Sequence, residues 1–133
     1  MTNAELFSVA QRAVVQALDV DSEDVKPETT IFGELQAESI DLLDILFRIE
    51  RATGIKVRSA EVGAYIRGPI PEGSFGDATG FVTREGLAQI KRSMPQIDEQ
   101  SLAGRLHPED IIKLFSVGNL VELLAERAAV AAG

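Results

Sequence analysis

The residue with the clearest chemical potential is Ser39, which stands between Glu38 and Asp41 at the start of a strongly apolar stretch. A serine in this place commonly caps a helix, because its hydroxyl oxygen accepts a hydrogen bond from an otherwise unpaired backbone N–H. The same place also suits a phosphate ester, since free N–H groups and the helix dipole both stabilise negative charge. Both roles require a helix that begins at Ser39.

A helix is predicted to begin at Ser39 and to end near Thr53. Residues 40–53 contain no proline or glycine, and Gly54 follows where a glycine commonly ends a helix. Leucine, isoleucine and phenylalanine occupy half of positions 40–53, so we expect the helix to be packed on most of its circumference. Its polar residues recur every three or four positions and fall on one stripe, which consists of Glu38, Asp41, Asp44, Arg48 and Arg51.

Composition limits both the fold class and the kinds of ligand. The chain has 133 residues, of which 45% are hydrophobic and 26% charged, enough for one domain with a hydrophobic core. Only 5% are aromatic and the formal net charge is −8, so nucleic acid is disfavoured as a partner. The lack of cysteine excludes disulfides, thiolate metal ligands and a cysteine nucleophile. With no apolar run of membrane-spanning length and no targeting pattern at its start, we expect a cytoplasmic monomer with no integral membrane segment.

Hydrophobic periodicity predicts a helix on each side of a long loop in the first half of the chain. Thr2 and Glu5 have the spacing of a capping box, and apolar residues then recur at helical intervals to about Leu18. Residues 19–37 break this pattern but hold enough apolar side chains to form an ordered loop. After the helix that begins at Ser39, a short helix is expected over residues 59–66.

The second half of the chain is also predicted to be helical. Residues 68–80 are dense in glycine and proline and are expected to form a surface loop. Thr83 is expected to cap a helix, a short helix is expected from Pro108 to Phe115, and Ser116 is expected to cap the last one. Because residues 55–57 are the best strand candidate and have no comparable partner, an all-α fold is predicted.

Two separate stretches resemble the acyl carrier protein family. Residues 35–41, Leu-Gln-Ala-Glu-Ser-Ile-Asp, are similar to the family signature Leu-Gly-x-Asp-Ser-Leu-Asp, and the similarity continues to residues 53–57, Thr-Gly-Ile-Lys-Val. Residues 115–121, Phe-Ser-Val-Gly-Asn-Leu-Val, are similar to the Thr-Val-x-Asp-Leu-Val that begins the family's last helix. The resemblance covers residues 1–57 and 108–127. It implies a single domain, residues 1–133, with a four-helix bundle and an inserted, partly helical segment between helices two and three.

The sequence departs from the family pattern at three residues and over one long span. Gln36 stands where the family usually has glycine, and Glu38 and Ile40 replace the usual aspartate and leucine, which suggests a specialised carrier. Residues 58–107 stand where an ordinary carrier has a short loop. Carriers dedicated to very-long-chain acyl groups of lipid A have an enlarged region here and a similar pattern in helix two, and this chain resembles them.

The resemblance implies a carrier that is not itself an enzyme. In the family the serine that matches Ser39 holds 4′-phosphopantetheine, taken from coenzyme A, as a phosphodiester. The thiol of that group carries an acyl thioester for fatty-acid, specialised lipid or polyketide biosynthesis. The implied partners are a phosphopantetheinyl transferase, acyl-loading enzymes, and acyl-transfer or condensing enzymes.

The charged stripe of helix two is a candidate partner-binding face. Glu38, Asp41 and Asp44 lie beside the attachment point and would attract basic surfaces of successive enzymes, or would simply form a solvated helix face. Arg48 and Arg51 are unusual for a wholly acidic face. They would select particular partners, or Arg48 would form an ion pair with Asp44.

Apolar residues of helix two and of the last helix are candidate walls of an acyl cavity, and equally candidates for permanent core. They are Leu42, Leu43, Ile45, Leu46 and Leu120. The inserted segment would either enlarge this cavity or present a partner-specific face.

Other kinds of site are disfavoured by the sequence. Residues 19–30 begin like a calcium loop but lack its glycine and its final glutamate, and His107 is the only histidine, so no metal site is predicted. No nucleophile-elbow glycine pattern surrounds Ser39, so a hydrolytic triad with His107 is disfavoured. The alternative that stays open is an interaction module that keeps the carrier fold but is never pantetheinylated.

Overall fold

The computed structural model describes residues 1–71, 76 and 80–132. Within these residues the chain is helical, and its isolated β-bridges join Thr30 to Ser116 and Gly76 to Val82. The prediction of an all-α fold is therefore confirmed for this part of the chain. Two 3₁₀ helices span Ser22–Asp24 and Pro108–Leu114. In chain order the α-helices are α1 (Asn3–Leu18), α2 (Ser39–Thr53), α3 (Ser59–Arg67), α4 (Arg84–Ser93), α5 (Glu99–Leu102) and α6 (Val117–Ala132).

Helix α1 is the central element, because it packs against both α2 and α6. The predicted capping box begins it. Thr2 accepts a hydrogen bond from the backbone N–H of Glu5 at 3.1 Å, and the Glu5 carboxylate accepts one from the N–H of Thr2 at 3.0 Å. The face that α1 turns to the core includes Leu6, Ala10 and Val14, all buried.

Helix α2 has the bounds that the sequence predicts. It ends at Gly54, whose φ of 78° lies in the left-handed region that glycine adopts without strain. Its core face is apolar at intervals of three and four residues, and burial of each such side chain contributes about 1.5–3 kcal/mol. The buried residues of this face are Leu42, Ile45, Leu46 and Ile49.

Helix α6 is capped as predicted and returns to the bundle beside α1. The Ser116 hydroxyl accepts a hydrogen bond from the N–H of Asn119 at 3.1 Å, and the Asn119 side-chain oxygen accepts one from the N–H of Ser116 at 2.9 Å. Both side chains are buried, so this reciprocal pair satisfies polar groups inside the protein.

The loop that leads into α2 is tied to the start of α6. The N–H of Ile31 donates to the carbonyl of Phe115 at 3.1 Å, and the N–H of Val117 donates to the carbonyl of Thr29 at 2.9 Å. Ile31, Phe115 and Val117 are fully buried at this junction. The loop is therefore ordered, as the apolar residues within it predicted.

The segment between α2 and α6 packs through α3 and α4, which contact each other. Ser93 donates a hydrogen bond to the backbone carbonyl of Ile66 at 3.0 Å, and it lies 3.0 Å from the carbonyl of Tyr65. The Gln89 side chain also donates to the carbonyl of Ile66, at 3.4 Å. Carbonyls in the last turn of a helix have no partner within that helix. The side chains of α4 supply hydrogen-bond donors to these carbonyls at the C-terminal end of α3.

Most predicted boundaries in this segment agree with the structure. Helix α4 follows its N-cap Thr83, whose hydroxyl accepts from the N–H of Gly86 at 3.0 Å. The element that begins at Pro108 is a 3₁₀ helix. Residues 72–75 and 77–79 of the predicted loop at 68–80 lie outside the described residues. Among the described helices, none combines the length and the hydropathy that a bilayer crossing needs.

The phenol of Tyr65 on α3 supplies a test of this packing. Burial raises the pKa of Tyr65 above its ordinary value of 10.0, and the negative charges of Glu126 and Glu122 on α6 raise the pKa further. A raised pKa in the folded state means that the unfolded chain releases this proton first. The contribution of Tyr65 to stability is therefore complete below pH 10 and is lost as the pH rises through the folded-state pKa.

We accordingly expect the Tyr65→Phe variant to lose less stability than the wild type between about pH 8 and pH 11. Urea unfolding midpoints of both proteins at the two pH values measure the difference, because titration of the lysines is common to both. Equal losses in the two proteins would show that Tyr65 ionises alike in the folded and unfolded chains.

Candidate functional site

Ser39 is the first residue of α2 and is exposed to solvent. Glu38 holds the N-cap position and forms a capping box with Asp41, in which the Asp41 carboxylate accepts from the N–H of Glu38 at 2.8 Å. Within the described part of the chain, the Ser39 hydroxyl has no hydrogen-bond partner. The helix start is therefore capped by its acidic neighbours, and Ser39 is not needed for capping.

The electrostatic setting of Ser39 favours an anionic group on its oxygen. The N–H groups of a first helical turn have no partner within the helix, and the helix dipole places partial positive charge at this end. A phosphodiester attached here would carry one negative charge beside these groups. Glu38 and Asp41 partly offset this attraction, but exposure to water screens their repulsion.

The backbone just before Ser39 explains one departure from the family signature. Gln36 has a φ of 55°, in the left-handed region that costs a non-glycine residue roughly 1–2 kcal/mol. The family's usual glycine would adopt this conformation without that cost. The turn continues to Ala37, whose N–H donates to the carbonyl of Ile31 at 3.1 Å. At this turn the chain therefore carries a residue that is less favourable than the glycine of the signature it resembles.

One face of α2 carries apolar side chains that the rest of the protein leaves exposed. Ile40 is 70% exposed, Leu43 53% and Phe47 56%. Their spacing of three and four residues places them in a single row that starts next to Ser39. The expectation that α2 is packed on most of its circumference is therefore wrong. The sequence pattern showed that these residues are apolar. It did not show whether other parts of the chain cover them.

The predicted charged stripe lies beside this row and changes sign along it. Glu38 is exposed at the Ser39 end, where Asp41 follows, and Arg51 is exposed at the other end. The Arg51 guanidinium lies 5.8 Å from the centre of the Phe47 ring, within reach of a cation–π contact. The predicted pair of Asp44 with Arg48 is present at 2.9 Å.

Arg48 also donates to the side-chain oxygen of Gln16 on α1, at 3.2 Å. It is therefore held on two sides, by Asp44 and by α1. Arg51 projects from the last turn of α2 and is the more available of the two arginines.

A groove of about 570 Å³, here called the Ser39 groove, opens beside Ser39 between α2 and α3. Three of its lining residues, Glu38, Ser39 and Ser59, are polar and exposed to solvent. The apolar side chains that line it are Phe32, Ala37, Leu42, Leu43, Val62 and Ile112.

Comparison with known proteins agrees with this geometry. The family model described as a phosphopantetheine attachment site matches residues 9–65, a span that contains all of α2. The acyl carrier protein AcpXL of Rhizobium meliloti is 36% identical over 93 residues, which cover 70% of this chain and 86% of that protein. The chain belongs to the acyl carrier protein family.

Other acyl carrier proteins are similar over shorter spans. That of Streptococcus thermophilus is 38% identical over 56 residues, which cover 42% of this chain and 74% of that protein. That of Picosynechococcus is 31% identical over 55 residues, which cover 41% of this chain and 68% of that protein. No solved structure matches the chain.

Membership in the family confirms the predicted class of function. An acyl carrier protein is a carrier rather than an enzyme, and the cofactor of its attachment domain is 4′-phosphopantetheine. Such a protein delivers its acyl group to partner enzymes. The matched span ends at residue 65, inside α3, and so includes the first seven residues of this helix, whereas the segment predicted to be inserted begins at residue 58.

The five predicted cavity residues of this acyl carrier protein fall in different places. Ile45 and Leu120 are completely buried in the core, whereas Leu42 and Leu43 line the Ser39 groove. Leu46 is buried and, with Leu43, lines a neighbouring groove of about 240 Å³.

Phe32, Val62 and Ile112 also line the Ser39 groove, although the sequence pattern did not predict this role for them. Val62 was detectable, because it lies one helical turn after Ser59 in the predicted third helix.

The exposed row on α2 predicts contrasting effects of two substitutions on stability. Ile45→Ala creates a cavity in the core and is expected to lower the free energy of unfolding by about 2–5 kcal/mol. Phe47→Ser removes an exposed ring and is expected to change it by less than about 1 kcal/mol. Urea unfolding of the two variants measures both values. A loss for Phe47→Ser as large as that for Ile45→Ala would mean that this face of α2 is covered in the folded protein.

Proposed function

We propose that 4′-phosphopantetheine is attached to Ser39 and that this acyl carrier protein presents an acyl thioester on it to partner enzymes. The observation that carries the proposal is the exposed Ser39 hydroxyl, which stands at the start of α2 and is spared from capping by Glu38 and Asp41. Ser39 also lies within the span that matches the attachment-site model.

Attachment at Ser39 forms one bond and breaks one. The Ser39 oxygen bonds to the phosphorus that bears the pantetheine of coenzyme A, and the bond from that phosphorus to adenosine 3′,5′-bisphosphate breaks. The hydroxyl proton is released. A phosphopantetheinyl transferase supplies the catalysis, and the carrier supplies an accessible hydroxyl at a helix end that stabilises the phosphodiester.

The proposed partner face is the row of Ile40, Leu43 and Phe47 together with the charges at its two ends. Glu38 and Asp41 at the first end attract basic groups around the active-site entrance of an enzyme. Arg51 at the other end would pair with an acidic group on the partner. At 1.5 Å per residue, this group would lie roughly 18 Å from Ser39 along the helix axis. The exposed apolar row is desolvated on contact and contributes affinity.

The acyl chain on Ser39 is proposed to enter the Ser39 groove. The groove opens at the attachment residue, and its lining is apolar at Leu42, Val62 and Ile112. Burial of each methylene there contributes about 0.8 kcal/mol, so even a medium chain prefers the groove to water.

Loading of the purified apo protein tests the attachment site. Incubation with coenzyme A and a broad-specificity phosphopantetheinyl transferase is expected to add the mass of one phosphopantetheine to the wild type and none to Ser39→Ala. Intact-mass spectrometry measures the gain. Ser59→Ala is the matched control, because Ser59 is also exposed, lies at the start of a helix and borders the same groove. A gain that survives in Ser39→Ala, or an unmodified wild type, would contradict the proposal.

Charge substitutions test the polarity of the partner face in the same reaction. Glu38→Gln keeps an oxygen that can accept hydrogen bonds at the N-cap and is expected to lower kcat/KM of the transferase roughly threefold at low salt, through lost attraction. Arg51→Gln is expected to lower it as well, because the positive charge that attracts the partner's acidic group is lost. The exposed loop residue Glu28 provides the control variant Glu28→Gln. Equal falls in Glu38→Gln and Glu28→Gln would assign the effect to net charge alone.

A further inference from the structure

We propose that a long acyl chain on Ser39 passes Gly63 and enters a second groove between α3 and the Pro108–Leu114 3₁₀ helix, so that Gly63 sets the longest chain the protein shelters. This inference rests on the proposed attachment at Ser39. It adds a second groove for the far end of the acyl chain and a residue that determines how long a chain is sheltered.

Two grooves meet on α3. The second one, here called the far groove, has a volume of about 410 Å³ and is lined on one side by Gly63, Ile66 and Arg67 and on the other by Pro108, Glu109, Ile111 and Ile112. Gly63 and Ile112 also line the Ser39 groove. The two grooves are therefore neighbours, and any passage between them crosses these two residues.

Gly63 lines both grooves, so a larger side chain at this position would project at the edge that they share. A Cβ built on Gly63 would meet, among the described residues outside its own turn, the end of the Arg67 side chain at 3.1 Å. Gly63 is in the interior of α3, where glycine is among the least favourable residues. The helix itself therefore gives no reason for a glycine here. Over Gly63 lies the flexible end of the Arg67 side chain, which a passing acyl chain would displace.

The far groove has the chemistry of an acyl site. Its walls include Ile66 and Ile111, which are buried, and Ile112, which is half-buried. Arg67 and Glu109 also line it, as one cation and one anion. An apolar chain with no charge of its own matches the isoleucines, whereas an anionic headgroup would meet Glu109 as well as Arg67.

The wall formed by α3 is held in place from two directions. Ser93 and Gln89 of α4 bind the carbonyl of Ile66 at its C-terminal end. Glu61 near its N-terminal end forms an ion pair with Arg127 of α6. Helix α4 thus supports the far groove by fixing α3, although α4 does not line the groove itself.

The test compares stabilisation by acyl chains of increasing length. Octanoyl, lauroyl, palmitoyl and stearoyl pantetheine are each loaded onto the wild type, Gly63→Leu and Ala64→Leu from the corresponding acyl coenzyme A, and loading is verified by intact mass. Ala64→Leu is the matched control, because Ala64 is the next residue of α3 and is exposed. The rise in Tm over the unacylated holo protein is measured for each, with hydrogen exchange at residues 108–112 as a second readout.

In the wild type and in Ala64→Leu, the rise in Tm is expected to continue to the longest chains, and palmitoyl and stearoyl are expected to slow exchange at residues 108–112. In Gly63→Leu the rise is expected to stop at a shorter chain, with no added protection there, although the unacylated variant folds at least as stably as the wild type. Profiles that coincide in all three proteins, or that shift equally at every chain length, would overturn the role of Gly63. Absence of the mass gain would instead contradict attachment itself, so the two failures are distinct.

Discussion

The position of α2, which begins at Ser39, depends on backbone hydrogen bonds that join two distant parts of the chain. The carbonyl of Pro27 accepts from the N–H of Gly118 at 2.7 Å, and the pairs on either side of Thr30 continue the same junction. A Cβ on residue 118 would lie 3.0 Å from the Pro27 oxygen, so a glycine permits this approach. Because the loop before α2 is held to the start of α6, Ser39 keeps its place whatever lies between α2 and α6.

This junction explains how the bundle tolerates a long inserted segment. The chain leaves α3 at Arg67 and returns at Pro108, and these two residues line the same groove. An insertion whose ends are adjacent adds little strain to the elements on either side, and its entropic cost grows slowly with length. Through Ser93 and Gln89 it also satisfies carbonyls at the end of α3, so the segment contributes to the bundle from which it departs.

Local signals in the sequence predicted the helices well, whereas they predicted the long-range packing of side chains less well. The bounds of α2 follow from its capping acids and Gly54, and the cap of α6 follows from Ser116, because each signal lies within a few residues of the feature it determines. The exposure of Ile40, Leu43 and Phe47 was not predicted. The hydrophobicity of a side chain determines the free energy that its burial would contribute, but it does not indicate whether a neighbour is present to bury it. The presence of Ile112 in the Ser39 groove was equally hidden, because its place depends on the path of the chain between α3 and α6.

The proposed partner face combines weak affinity with a fixed orientation, and both follow from its composition. Three exposed apolar side chains form a patch far smaller than a permanent interface, so a complex that relies on it dissociates readily. The opposite charges near Glu38 and at Arg51 raise the rate of encounter with a complementary surface. They also set direction, because a partner bound in the reverse sense would place like charges opposite each other and its active site far from Ser39. On this face the apolar row contributes affinity, and the opposite charges at its two ends orient the partner.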